Sequence, residues 1–160
     1  MKFKYIEPES EEGKEMYSIM NLLIKKFHPE LEKARIALAW NFSWKTDKDG
    51  HLTLGRCKKA SDLDKSVPAP FDFVIILFKP FWADPAVSQD QRCALLDHEL
   101  CHGAARHDSE GEILLDEKGN AMYRTKKHDV EDFIEIIERY GVHTPQLERL
   151  AFVLRQLKND

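Results

Sequence analysis

The feature that most limits how this chain can fold is the run Leu95-Leu96-Asp97-His98-Glu99-Leu100-Cys101-His102-Gly103-Ala104, which holds an H-E-x-x-H pattern. That spacing has chemical meaning only on a helix, where residues four apart stack on one face and two imidazoles can converge on one ion. Ser88-Gln89-Asp90-Gln91 has the form of a capping box and sets the helix start. From there the helix is expected to run to about Ala105. Cys93, Leu96, Leu100 and Ala104 fall on one side, and Gln91, Leu95, His98 and His102 on another stripe. Such a helix must pack its apolar back on a core and turn its histidines into a cleft. Glu99 lies one step round, within reach of a water beside the two histidines, as a zinc hydrolase requires.

The rest of the chain has to supply that core. Residues 10–27 carry Met16, Ile19, Met20, Leu23 and Phe27 at helical steps, and His28-Pro29 ends the pattern. From Arg35 to Lys45 the period becomes two, with Ile36, Leu38, Trp40, Phe42 and Trp44 alternating with smaller residues, which predicts a strand. After the turn residues Asp47-Lys48-Asp49-Gly50, residues 51–57 alternate again, so the two segments are expected to form a hairpin. The Trp40 and Trp44 stripe reads as core. Lys58 to Pro70 is polar and proline-rich at its end, a loop. Phe71 to Phe78 is apolar on both faces and predicts an internal or covered strand.

Beyond the motif, Glu112 to Thr125 reads as a small hairpin around Asp116-Glu117-Lys118-Gly119-Asn120. A helix is expected to start within residues 125–133, with Val130, Phe133, Ile134, Ile137 and Tyr140 as its apolar stripe and Gly141 as its stop. Thr144-Pro145 opens a last helix with Leu147, Leu150, Ala151, Leu154 and Leu157 facing inward. The whole is an α+β chain of one domain over 1–160.

A catalytic zinc takes three protein ligands and leaves a position open, so a third ligand must come from downstream. His128 is the choice, because a helix start there would favour its neutral, metal-binding form. Glu131 is the rival, and Asp132 is placed to orient His128. Tyr123 and Arg124, just upstream, are candidate donors to the developing negative charge. His28, His51, His107 and His143 are expected at solvent-facing element edges, and Cys101 as a small hydrophobe.

Composition narrows the class. The net charge of -4 gives no electrostatic footprint for nucleic acid. Three cysteines, without a C-x-x-C pair, fit a reducing compartment and no disulfide framework. The start, Met1-Lys2-Phe3-Lys4-Tyr5-Ile6-Glu7, has no leader pattern, and no apolar run is long enough to span a bilayer. A cytoplasmic location is expected.

The block Leu95 to His102, together with Lys127-His128-Asp129-Val130-Glu131-Asp132-Phe133, resembles the putative phage metallopeptidase family, itself similar to SprT-like zincins. The likeness runs from about Arg35 to Gly141. It implies a minimal zincin-like fold, a small sheet packed on helices, with Zn²⁺ held by His98, His102 and His128. It implies Glu99 as catalytic base, a peptide or protein substrate, and a phage or prophage origin in a bacterial host. The four-cysteine ribbon of SprT proteins has no counterpart among the three cysteines. The strand from Phe71 to Phe78 is the expected partner for an extended peptide. A different class, a non-catalytic phage protein that keeps this frame and binds a host factor, would leave Glu99 without a role.

Overall fold

The computed structural model describes residues 1–61 and 70–158. The chain is α+β and forms two compact units, Met1–Lys126 and Lys127–Asp160. Of the segment read as a loop, Lys58 and Lys59 end a strand and residues 62–69 lie outside the described residues.

The first unit opens with β1 (Phe3–Tyr5) and α1 (Glu11–Phe27). Ser10 caps α1 by accepting from the Gly13 N–H at 3.0 Å. The buried stripe is Met16, Met20 and Ile24, while Phe27, counted on paper as part of it, is exposed. Then come β2 (Ile36–Asn41), β3 (Gly55–Lys59), β4 (Phe73–Phe78), the short α2 (Lys79–Ala83) and α3 (Gln89–Cys101). The strands β5 (Gly103–Ala105) and β6 (Tyr123–Thr125) close the unit as an antiparallel pair.

The four-stranded sheet has the order β1-β2-β4-β3. This overturns the expected hairpin of residues 35–45 with 51–57. β4 lies between them, parallel to β2 and antiparallel to β3. The cause is composition. β4 is apolar on both faces and gains most from two strand neighbours, whereas β3, Gly-Arg-Cys-Lys-Lys, carries the charges that suit an edge. Asp47 to Gly50 does turn, with Gly50 at φ 86° and the Asp47 carboxylate accepting from the Asp49 and His51 N–H groups.

One sheet face is the core. Ile36, Leu38 and Trp40 of β2 and Phe73, Ile75 and Leu77 of β4 alternate inward against Met16, Met20, Ile24, Leu96 and Leu100. Each such side chain contributes about 1.5–3 kcal/mol when fully buried. Trp40 is core, as expected: its indole N–H donates to Glu12 at 3.0 Å, and Lys79, which pairs with Glu12, lies over the ring. Arg35 and Asp72 pin the start of β4, the carboxylate accepting from Arg35 N, Nε and Nη2 at 2.8, 3.1 and 3.0 Å.

The second unit is small. Residues 126–133 are not helical, and α4 covers only Ile134–Tyr140, followed by α5 (Pro145–Lys158). Thr144 caps α5 through the Leu147 N–H, as its sequence position indicated. The apolar stripes expected to face inward do not: Phe133 is 77% exposed, Tyr140, Leu154 and Leu157 are exposed, and Leu147 alone is buried in α5. Among the described residues no helix is long and apolar enough to cross a membrane.

Candidate metal centre

Helix α3 begins with the capping box that Ser88 and Gln91 announce, the Ser88 hydroxyl accepting from Gln91 N at 3.1 Å and Gln91 Oε1 from Ser88 N at 2.8 Å. It stops earlier than expected, at Cys101, with His102 as its C-cap and Gly103 already in β5. The reason is close packing: a Cβ on Gly103 would lie 3.3 Å from Leu31, so the chain is drawn against the 3₁₀ turn of Pro29–Leu31 instead of continuing the helix. His102 keeps right-handed helical angles, φ -73° and ψ -19°, so the stacking of His98 and His102 survives. Their ring centroids are 5.2 Å apart, edge to face.

His102 also has a defined tautomer. Its Nδ1 is 2.7 Å from the carbonyl oxygen of Lys126, which can only accept, so Nδ1 carries a proton and the neutral ring has its lone pair on Nε2. The Lys126 N–H donates in return to the His102 carbonyl at 2.9 Å. A carbonyl fixing the outer nitrogen of a histidine is the usual support of a metal ligand.

Glu99 is 4% exposed. Its carboxylate occupies space left by Gly55 of β3, where a Cβ would come within 2.5 Å of Oε1. Burial pushes the Glu99 carboxyl up, opposed by the nearby His102 and by a hydrogen bond from the Cys57 N–H. Burial, with the Glu99 charge beside it, pushes the Cys57 thiol up to about 12. This pocket for the carboxylate had no sequence signal beyond the glycine itself.

His128 belongs to the second unit, in non-helical chain just past Lys126, so the helix-start argument for its neutral form does not hold. Asp132 accepts from His143 Nε2 at 2.9 Å and from the Phe133 N–H at 2.8 Å, a pairing the spacing did not reveal. Glu131 is exposed. Tyr123 is buried edge-on to Phe73 at 5.5 Å, a core residue and not a donor facing a substrate. Arg124 is exposed. The strand expected to receive a peptide, β4, has both edges paired, and β3, one of the two edge strands of the sheet, adjoins Glu99 instead.

Of the other histidines, His51, His107 and His143 are exposed, as expected. His107 Nε2 lies 3.2 Å from Glu30, His51 faces Asp47, and His28, expected to be solvent-facing, is largely buried at the end of α1 with Nε2 2.5 Å from Asp97 Oδ1. Cys101 is exposed, not a buried hydrophobe.

An α+β frame that presents a histidine pair and a buried carboxylate on one helix has the donor chemistry of a metal-dependent hydrolase. The chain belongs to the family described as "Putative phage metallopeptidase", whose model matches residues 8–155. The family name denotes a peptidase that uses a metal, hence protein or peptide substrates, and a phage setting. No curated protein and no solved structure matches the chain.

Proposed function

We propose that this protein is a zinc-dependent peptidase in which His98, His102 and His128 hold the ion and Glu99 is the general base. The observation that carries the reading is the joint setting of His102 and Glu99: an imidazole whose Nδ1 proton is committed to Lys126, beside a carboxylate withdrawn from solvent under Gly55. The two histidines are borderline-soft nitrogen donors, the set that zinc favours over magnesium or calcium. His128 is supported by tether length. The chain is pinned to His102 at Lys126, and two further residues span at most about 7 Å.

An ion held by these residues would supply Lewis acidity toward the scissile carbonyl and make a water easier to deprotonate. Glu99 takes a proton at its carboxylate and returns it to the leaving amine, a role suited to a carboxyl raised from its ordinary value. The Cys57 N–H holds that carboxylate in place from the outward side of β3. The same edge strand offers main-chain groups to an extended peptide, which makes β3 the substrate strand in place of β4. Three cysteines without a C-x-x-C pair support action in a reducing compartment, the cytoplasm of a bacterial host.

The test is metal analysis beside a peptide-cleavage assay. His98→Ala and His128→Ala should each lose one zinc equivalent relative to wild type, and cleavage should be abolished by chelation. A full complement of zinc in His128→Ala would move the third ligand to Glu131. Zinc bound with no cleavage of any peptide would favour the host-factor binder.

A further inference from the structure

We propose that His28, Asp97 and Cys101 form a second metal site, for a borderline-soft divalent ion such as Zn²⁺, on the stripe of α3 next to the histidine pair. The helix carries two sets of residues four apart, offset by one position: His98 with His102, and Asp97 with Cys101. A one-residue offset turns the second set about 100° around the helix axis, so the two sets address different sides. On that second side the end of α1 delivers His28. Three donors from two elements meet there, one nitrogen, one oxygen and one sulfur, all within 4.8 Å of one another.

A tetrahedral ion with bonds of about 2.0–2.3 Å needs its ligand atoms roughly 3.3–3.8 Å apart. The cluster is close to that size before any adjustment. His28 Nε2 and Asp97 Oδ1, at 2.5 Å, share a hydrogen bond, and an ion entering between them takes the place of that proton and opens the pair by about 1 Å. His28 is set for this by its backbone: it caps α1, its N–H donating to the Ile24 carbonyl at 2.8 Å, and its side chain is only 12% exposed. Cys101 is the open side of the cluster, which gives an ion a way in and leaves room for a water as the remaining ligand. A sulfur in the set selects zinc-like ions over magnesium and calcium. Another such grouping among the described residues, Asp47, Asp49 and His51, lies exposed within one turn whose Asp47 oxygen already holds that turn's N–H groups, and it lacks sulfur.

An ion at this site would tie the end of α1 to the last turn of α3, the turn that carries Glu99 and leads into His102. It does not depend on the reading of the histidine pair. The test uses the full-length protein, stripped of metal and titrated with Co²⁺, read by the near-ultraviolet sulfur-to-cobalt charge-transfer band. The histidine centre contains no sulfur and is silent in that band. Wild type, His98→Ala and Cys93→Ser should all show it, and Cys101→Ser, whose altered side chain is exposed, should lose it while keeping its circular dichroism. His28→Ala should weaken Co²⁺ binding at this site at least about tenfold. Absence of the band in wild type, or its survival in Cys101→Ser, would overturn the second site. So would loss of the band in His98→Ala, which would place the thiolate at the histidine centre. A band in wild type that His98→Ala leaves intact, without loss of any zinc equivalent in that variant, would refute the histidine centre and uphold this one.

Discussion

The two units of this chain carry similar apolar helical stripes and use them differently. In α1 and α3 the stripe residues Met16, Met20, Leu96 and Leu100 are buried against the sheet. In α4 and α5 the equivalent positions, Ile134, Tyr140, Leu154 and Leu157, remain exposed. An amphipathic pattern therefore states which face of a helix could be buried, and a partner surface decides whether it is. The sheet supplies that surface in the first unit, because β2 and β4 are parallel neighbours with alternate residues on one face.

The largest expected effect separates the units by chemistry. Glu99→Gln should lower peptide cleavage by about 10²–10⁴-fold with metal retained, while Glu131→Gln, at an exposed position in the second unit, should leave the rate within about twofold. Equal losses would erase the distinction. By stability, Leu96→Ala should cost about 2–5 kcal/mol in denaturant unfolding, and Leu157→Ala less than about 0.5 kcal/mol. A large cost at Leu157 would show that the second unit hides its stripe in solution.

A smaller effect probes the seat of Glu99. Gly55→Ala places a methyl group 2.5 Å from Glu99 Oε1 and should cost about 1–3 kcal/mol while reducing activity with zinc still bound. Unchanged activity would mean that Glu99 works from another position. The smallest effect concerns pH. With the Cys57 thiol pushed up to about 12, the folded protein holds a proton that the unfolded chain releases from about pH 9 upward. Its contribution therefore favours folding below pH 9 and is withdrawn as pH rises toward 12. Cys57→Ala should flatten that alkaline decline in unfolding measurements, and an unchanged slope would refute the raised value.

Much of the first unit was legible in the sequence because its signals were local. Ser88 and Gln91 bond each other within one turn, and the two-residue period of Ile36, Leu38 and Trp40 follows from backbone geometry. The errors fell where a partner was distant. The hairpin of residues 35–45 with 51–57 failed because turn residues show where a chain reverses, and the neighbour was settled by β4, which needed both its edges covered. The helix expected from residue 125 shrank to Ile134–Tyr140, since acids and a spaced apolar stripe do not hold a helix without a surface to pack on. His28 and Asp97 are 69 residues apart, and no local spacing points to their bond.

The histidine pair on α3 shows the same division. Its spacing and its helix were determined by sequence alone, because four residues of helix place two side chains on one face whatever surrounds them. The early stop at Cys101, the proton of His102 committed to Lys126, and the burial of Glu99 under Gly55 were decided only by the tertiary structure. Each depends on a second segment brought close in space, and a site's electrostatics are set by what is packed against it rather than by the order of residues along the chain.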